Sequence, residues 1–141
     1  MTGAVATAET EIHATPQRVW AALTDPDQVA AYMDGSRVET TWEVGSPITW
    51  TGEYDGHAYQ DKGKVLAYDE PHVLSVTHYS PLMGQDDESA NYHTVVYTVT
   101  VDGGLTRISL TQDNCNDQRQ AEQFSRHWQQ MLDQVKTHVE T

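Results

Sequence analysis

Between residues 36 and 113 the apolar residues recur at every second position, and on either side of that run they recur at every third or fourth. Period 2 marks half-buried strands and period 3.6 marks amphipathic helices. A chain patterned in this way must build a sheet from its middle and cover it with helix from its ends. Turn signals at Val44-Gly45-Ser46-Pro47, Asp55-Gly56, Asp69-Glu70-Pro71 and Asp102-Gly103-Gly104 divide the run into strands expected near 36–42, 47–54, 57–68, 72–80, 91–101 and 105–113. Most connections are short, which gives an antiparallel meander. The exception is the acidic loop 81–90, PLMGQDDESA.

Upstream, residues 5–14 are rich enough in Val, Thr and Ile for a further strand, which Thr15-Pro16 ends. Thr15 is placed to cap a helix with Pro16 in its first turn, where the missing N–H costs nothing. Val19, Trp20 and Leu23 follow at helical spacing. Thr24-Asp25-Pro26 stops that helix and starts a second short one bearing Val29, Ala30, Tyr32 and Met33, before a turn at Asp34-Gly35-Ser36. Downstream, Asn116-Asp117 caps a helix of about 22 residues. Ala121, Phe124, Trp128, Leu132, Val135 and Val139 fall on one stripe of it, with Glu122, Arg126, Gln130 and Asp133 opposite.

The expected fold is α+β and spans residues 1–141 as one domain, the size a single core can support. A seven-stranded curved antiparallel sheet wraps around the long C-terminal helix, with two short helices between strands 1 and 2. One helix does not fill the hollow of such a sheet. A cavity between them is the expected by-product, and apolar cavities bind small ligands.

Several local sequences support this order. Pro16 with Val19-Trp20-Ala21-Ala22-Leu23-Thr24-Asp25-Pro26, then Trp50-Thr51-Gly52, Gly63-Lys64-Val65, Tyr68-Asp69-Glu70-Pro71, Leu74-Ser75-Val76-Thr77-His78, Thr106-Arg107-Ile108-Ser109-Leu110-Thr111, and Trp128 with Leu132 stand in sequence. Together they resemble the SRPBCC or START-like superfamily and its helix-grip fold. Within it they are most similar to the heat-shock protein 90 ATPase activator homologue family. The resemblance covers nearly the whole chain and implies binding of a small apolar molecule or a partner surface. Superfamily members range from lipid carriers and hormone receptors to polyketide cyclases, and eukaryotic members of the family act on a chaperone. The chain departs from the pattern at His127-Trp128, where relatives have Gly-Trp, and at His78, where an aromatic is common.

Strand alternation selects an inward face. His93, Val95, Tyr97, Val99 and Val101 share one side of their strand, as do Leu74, Val76 and His78, Ile108 and Leu110, and Ile48, Trp50 and Tyr54. The expected ligand-binding residues are Trp50, Tyr54, Val76, His78, Val95, Tyr97, Phe124, Trp128 and Met131, with Tyr32 and Met33 bordering the mouth. His78 stands out because a histidine among apolar walls can orient a ligand or act as a general base. The plainer reading is a core histidine satisfied by a neighbour such as Tyr97. Catalysis would need an acid beside it, and Asp61 and Glu53 are the candidates, although both read first as solvated edge charges.

The remaining signals narrow the function. A formal net charge of −13 repels phosphate backbones and anionic lipid, against nucleic-acid or membrane binding. Cys115 is the only cysteine, so no intrachain disulfide forms, and a reducing cytoplasm is the expected setting. The N-terminus lacks signal-peptide character, and no apolar run is of membrane-spanning length. The seven histidines show no metal-ligand spacing, Asp86-Asp87-Glu88 lacks the spacing of a calcium loop and reads as a solvated mobile loop, and Cys115 between Asp113 and Asp117 reads as an inert thiol. Neither a metal nor a nucleotide cofactor is expected. The leading reading is a domain that binds a small hydrophobic or amphipathic molecule without catalysis. The alternatives are a cyclase- or hydrolase-like enzyme using His78 with Tyr97 or Asp61, and a module that contacts a chaperone or a second copy, for which the apolar Pro81, Leu82 and Met83 offer a surface.

Overall fold

The computed structural model describes residues 2–33, 35–54 and 56–141, apart from the side chain of Tyr54. Asp34 and Asp55, expected in turns, and the Tyr54 side chain, expected in the cavity wall, lie outside the described residues. The elements in order are β1 (Ala4–Ile12), α1 (Pro16–Thr24), α2 (Pro26–Tyr32), β2 (Arg37–Glu39), β3 (Pro47–Tyr54), β4 (His57–Asp69), β5 (Val73–His78), β6 (His93–Asp102), β7 (Leu105–Cys115) and α3 (Gln118–Glu140). This is the expected helix-grip arrangement, one curved open sheet in the order β1-β7-β6-β5-β4-β3-β2 with all pairs antiparallel.

The short helices are set by their caps. Thr15 Oγ1 accepts from the Arg18 N–H at 3.2 Å and Pro16 opens α1. Asp25 ends α1 and caps α2, its carboxylate accepting from the Asp27 N–H at 3.0 Å. Val19, Trp20 and Leu23 are buried as the spacing requires, and the Trp20 indole N–H donates to the Tyr68 hydroxyl at 3.2 Å.

The sheet bends along β4. Its residues 57–64 pair with β3, and from Val65 onward the strand pairs with β5 through a register shift between Val65 and Ala67. Such irregularities strengthen twist and turn one sheet around a core. Gly63 stands at the bend, where a Cβ would lie 1.7 Å from the Thr77 carbonyl oxygen. Only a residue without a side chain lets the two backbones approach so closely.

Helix α3 starts at Asp117, whose carboxylate accepts from the Gln120 N–H at 2.8 Å. It buries Ala121, Leu132, Val135 and Val139, while Phe124 and Trp128 are partly buried. The helix lies along the edge strand β1 and occupies its outward backbone groups. Ser125 Oγ accepts from the Thr7 N–H at 2.9 Å, and Gln129 both accepts from the Glu9 N–H at 3.3 Å and donates to the Glu9 carbonyl at 2.9 Å. Lys136 donates to the Glu11 carbonyl at 2.6 Å, and Glu140 accepts from the His13 N–H at 2.8 Å.

Three expectations are corrected. The second strand is only Arg37–Glu39 rather than 36–42, because Trp42 adopts a left-handed φ of 65° that breaks strand geometry. Val101 is not in the core but 63 % exposed, although Thr106 directly opposite it is buried and donates to the Ala14 carbonyl at 2.6 Å. Loop 81–90 is neither bare nor free. It carries 3₁₀ turns at Pro81–Met83 and Ser89–Asn91 and is tied by the Lys62–Asp87 ion pair, by Tyr79 donating to the Gln85 carbonyl at 2.6 Å and by Tyr92 donating to Asp87 at 2.6 Å.

Candidate functional site

A cavity lies where the C-terminal end of α2 and the middle of α3 meet the concave face of β2 to β6. Six of the expected residues line it: Tyr32 and Met33 from the end of α2, Met131 from α3, Trp50 from β3, Val76 from β5 and Tyr97 from β6. Ile48 and Leu74, assigned to the inward face, also line it. Val38 and Trp42 were not anticipated. The directly opposed pair Val38 and Trp50 could have revealed Val38 once β2 was aligned on β3, but nothing in the sequence announces the backbone reversal that turns Trp42 inward.

The walls nearly close on themselves. Four aromatic rings and two methionines leave a free volume of about 30 Å³, room for roughly one or two water molecules and far short of a drug-sized ligand. The polar atoms around this space are unequally used. The Tyr32 hydroxyl donates to the Ala22 carbonyl at 2.9 Å. Tyr97 makes no hydrogen bond among the described residues, yet its oxygen is not sealed, since Asp61 Oδ1 is the one buried, unpartnered side-chain polar atom among them. Tyr97 is surrounded by protein and keeps residual accessible surface by facing the cavity. Burial pushes both phenols well above the ordinary tyrosine range, and for Tyr32 the neighbouring Tyr97 adds to the effect.

Three expected wall residues stand elsewhere. Val95 is buried between Val76 and Gln112. Phe124 packs with Ala6, Cys115 and Ala121, its ring edge-on to His93 at 6.0 Å. Trp128 donates its indole N–H to Gln112 Oε1 at 2.5 Å. These side chains fill the hollow under the first half of α3, so the cavity is confined to the side of α2.

His78 borders that side but does not line the cavity. It lies two residues beyond Val76 on the same face of β5, and Asp61 lies directly across from Trp50 on β4. For His78 the plainer reading keeps its sense but changes its partner, and for Asp61 it is corrected. His78 is held not by Tyr97 but by Asp61, with Nε2 to Oδ2 at 2.8 Å, and the Trp50 ring packs edge-on against the imidazole at 5.2 Å. The side chains are only 25 % and 15 % exposed, so Asp61 is not a solvated edge charge, whereas Glu53 is exposed. The pair was not legible because period 2 assigns faces without aligning strands. By contrast His93, directly opposite His78, is buried and spends Nδ1 on the Asp113 carbonyl at 2.8 Å.

Among the described residues no three His, Cys, Asp or Glu side chains gather as a metal site would require, and no helix is long and apolar enough to cross a membrane. Cys115 is buried, and burial raises its thiol pKa, which disfavours the reactive thiolate.

The family model for "Activator of Hsp90 ATPase homolog 1-like protein" matches residues 13–140. The chain belongs to this family. A solution structure from Cytophaga hutchinsonii is similar at 37 % identity over 97 % of this chain and 94 % of that one, with a TM-score of 0.85. The Aha1 dimer from Colwellia psychrerythraea matches at 16 % identity, 97 % and 96 % coverage and a TM-score of 0.76. An HSP90 activator from Plasmodium falciparum matches at 20 % identity, 96 % and 95 % coverage and a TM-score of 0.72. At those lower identities the likeness concerns the fold. No curated protein sequence matches significantly. Within this activator-homologue fold, the cavity and the His78–Asp61 pair are two places among the described residues where polar side-chain atoms lack a partner.

Proposed function

We propose that this activator-homologue domain binds a small amphipathic molecule between α2, α3 and the concave face of the sheet. The observation that carries the reading is the Tyr97 hydroxyl, a hydrogen-bonding group without a partner among the described residues, placed on a wall of aromatic and aliphatic side chains. A polar group kept in such a place without structural use is suited to fixing a ligand's orientation. The free volume is small as it stands. Met33 and Met131 border it, and unbranched methionines re-pack at low cost, so the walls can part without a change of fold.

Thermal melts with a panel of fatty acids and fused-ring aromatics test this. A ligand at a hundredfold excess over its Kd stabilises the folded state by about 2.7 kcal/mol, a rise in Tm on the order of 10 °C for a domain of this size. The same ligand should shift the methyl resonances of Met33 and Met131. A panel without a binder, or binders that leave both methyls unmoved, would overturn the proposal.

A further inference from the structure

We infer that the His78–Asp61 pair is a hydrogen-bond acceptor site for the hydroxyl of an aromatic ligand, which rests on the cavity reading above and names the ligand class. The argument begins with protons. A carboxylate only accepts, so the 2.8 Å contact between Asp61 Oδ2 and Nε2 places the ring proton on Nε2. In its neutral form the imidazole carries one N–H, so with Nε2 facing Asp61 it is Nδ1 that offers a lone pair. No described residue donates to it, and a quarter of the side chain stays accessible.

The surroundings do not suit a purely structural pair. Asp61 Oδ1 is buried without a hydrogen-bond partner, a cost of the kind that stability alone does not favour. Two residues connect the pair to the cavity. Trp50 both lines it and packs edge-on against the His78 ring, and Val76 lines it from the same face of β5. A ligand lying along Trp50 would have its apolar body among the rings of Tyr32, Trp42 and Tyr97 and its edge beside His78. Aromatic walls favour a flat, aromatic body. A lone-pair acceptor selects a hydroxyl, because an ether of the same shape has no proton to donate. Asp61 acts as a positioning residue, fixing the tautomer rather than touching the ligand.

The test compares 2-naphthol with 2-methoxynaphthalene, followed through the methionine methyl resonances of the intact chain. Wild type is expected to bind the naphthol about tenfold more tightly than the ether, the size of one net hydrogen bond. His78→Phe should abolish that preference. Asp61→Asn should reduce it, and ¹⁵N shifts of the His78 ring should show that Nε2–H is no longer the single favoured tautomer; this variant and the wild-type comparison decide the matter if His78→Phe does not fold. Equal binding of both compounds by wild type would overturn the acceptor site and leave the cavity reading standing. Failure of both compounds to bind would overturn the two together.

Discussion

Replacing one hydrogen of Gly63 by a methyl group would set a carbon 1.7 Å from the Thr77 carbonyl oxygen. No side-chain rotation relieves a contact between two backbones, so β4 would have to move away from β5. Gly63→Ala should lower stability by about 3 kcal/mol, near the upper end of common single substitutions, as measured by chemical denaturation. It should also weaken the Asp61–His78 contact, because those residues sit on the same two strands. Legibility at this scale followed the physics of alternation. Trp50, Val76 and Tyr97 were readable as inward residues because each lies in an uninterrupted strand. Asp61 was not, since its partner is diagonal on another strand. Trp42 was hidden by a backbone angle that its residue type does not advertise.

The loop between β5 and β6 shows the same limit one level up. Its run of acids reads as solvated chain, yet Asp87 joins Lys62 of β4 and the Tyr92 hydroxyl, while Tyr79 and Tyr92 stack at 5.3 Å. The hydrogen bond from Lys62, then that from Tyr92, holds the Asp87 carboxyl below its usual range. A carboxylate whose pKa is depressed by folding adds stability above its ordinary value and loses it as pH falls through the lowered one. The tether is therefore intact at neutral pH and released on acidification below the usual aspartate range. Limited proteolysis across a pH series should show cleavage within 81–92 rising at the acidic end. Asp87→Asn should cut readily throughout, with little pH dependence. The helices were far easier to read. The caps Thr15, Asp25 and Asp117 and the α3 stripe are local grammar, and local grammar survives folding.

For the molecule as a whole, the order of elements was legible because each change of period coincides with a change of structure. The curvature was expected, but the register shift in β4 that carries it was not legible, and the narrowness of the cavity depends on side chains that only meet in three dimensions. The two ends of the sheet also differ. At one end β2 is three residues long, while at the other β1 hands its outward amides and carbonyls to Ser125, Gln129, Lys136 and Glu140 of α3. A border strand ordinarily gives up its outward amide protons to water, but those of Thr7, Glu9 and His13 are held by helix side chains. Their deuterium uptake should be slow and should proceed at one common rate, set by the frequency with which α3 lifts from the sheet. Ser125→Ala should speed Thr7 alone, whereas Leu132→Ala, which weakens the seat of the whole helix, should speed all three; three unrelated rates would show that the helix does not move as a unit. The border of this sheet thus serves as a built-in gauge of its lid, and a molecule that wedges beneath α3 would register there without a label.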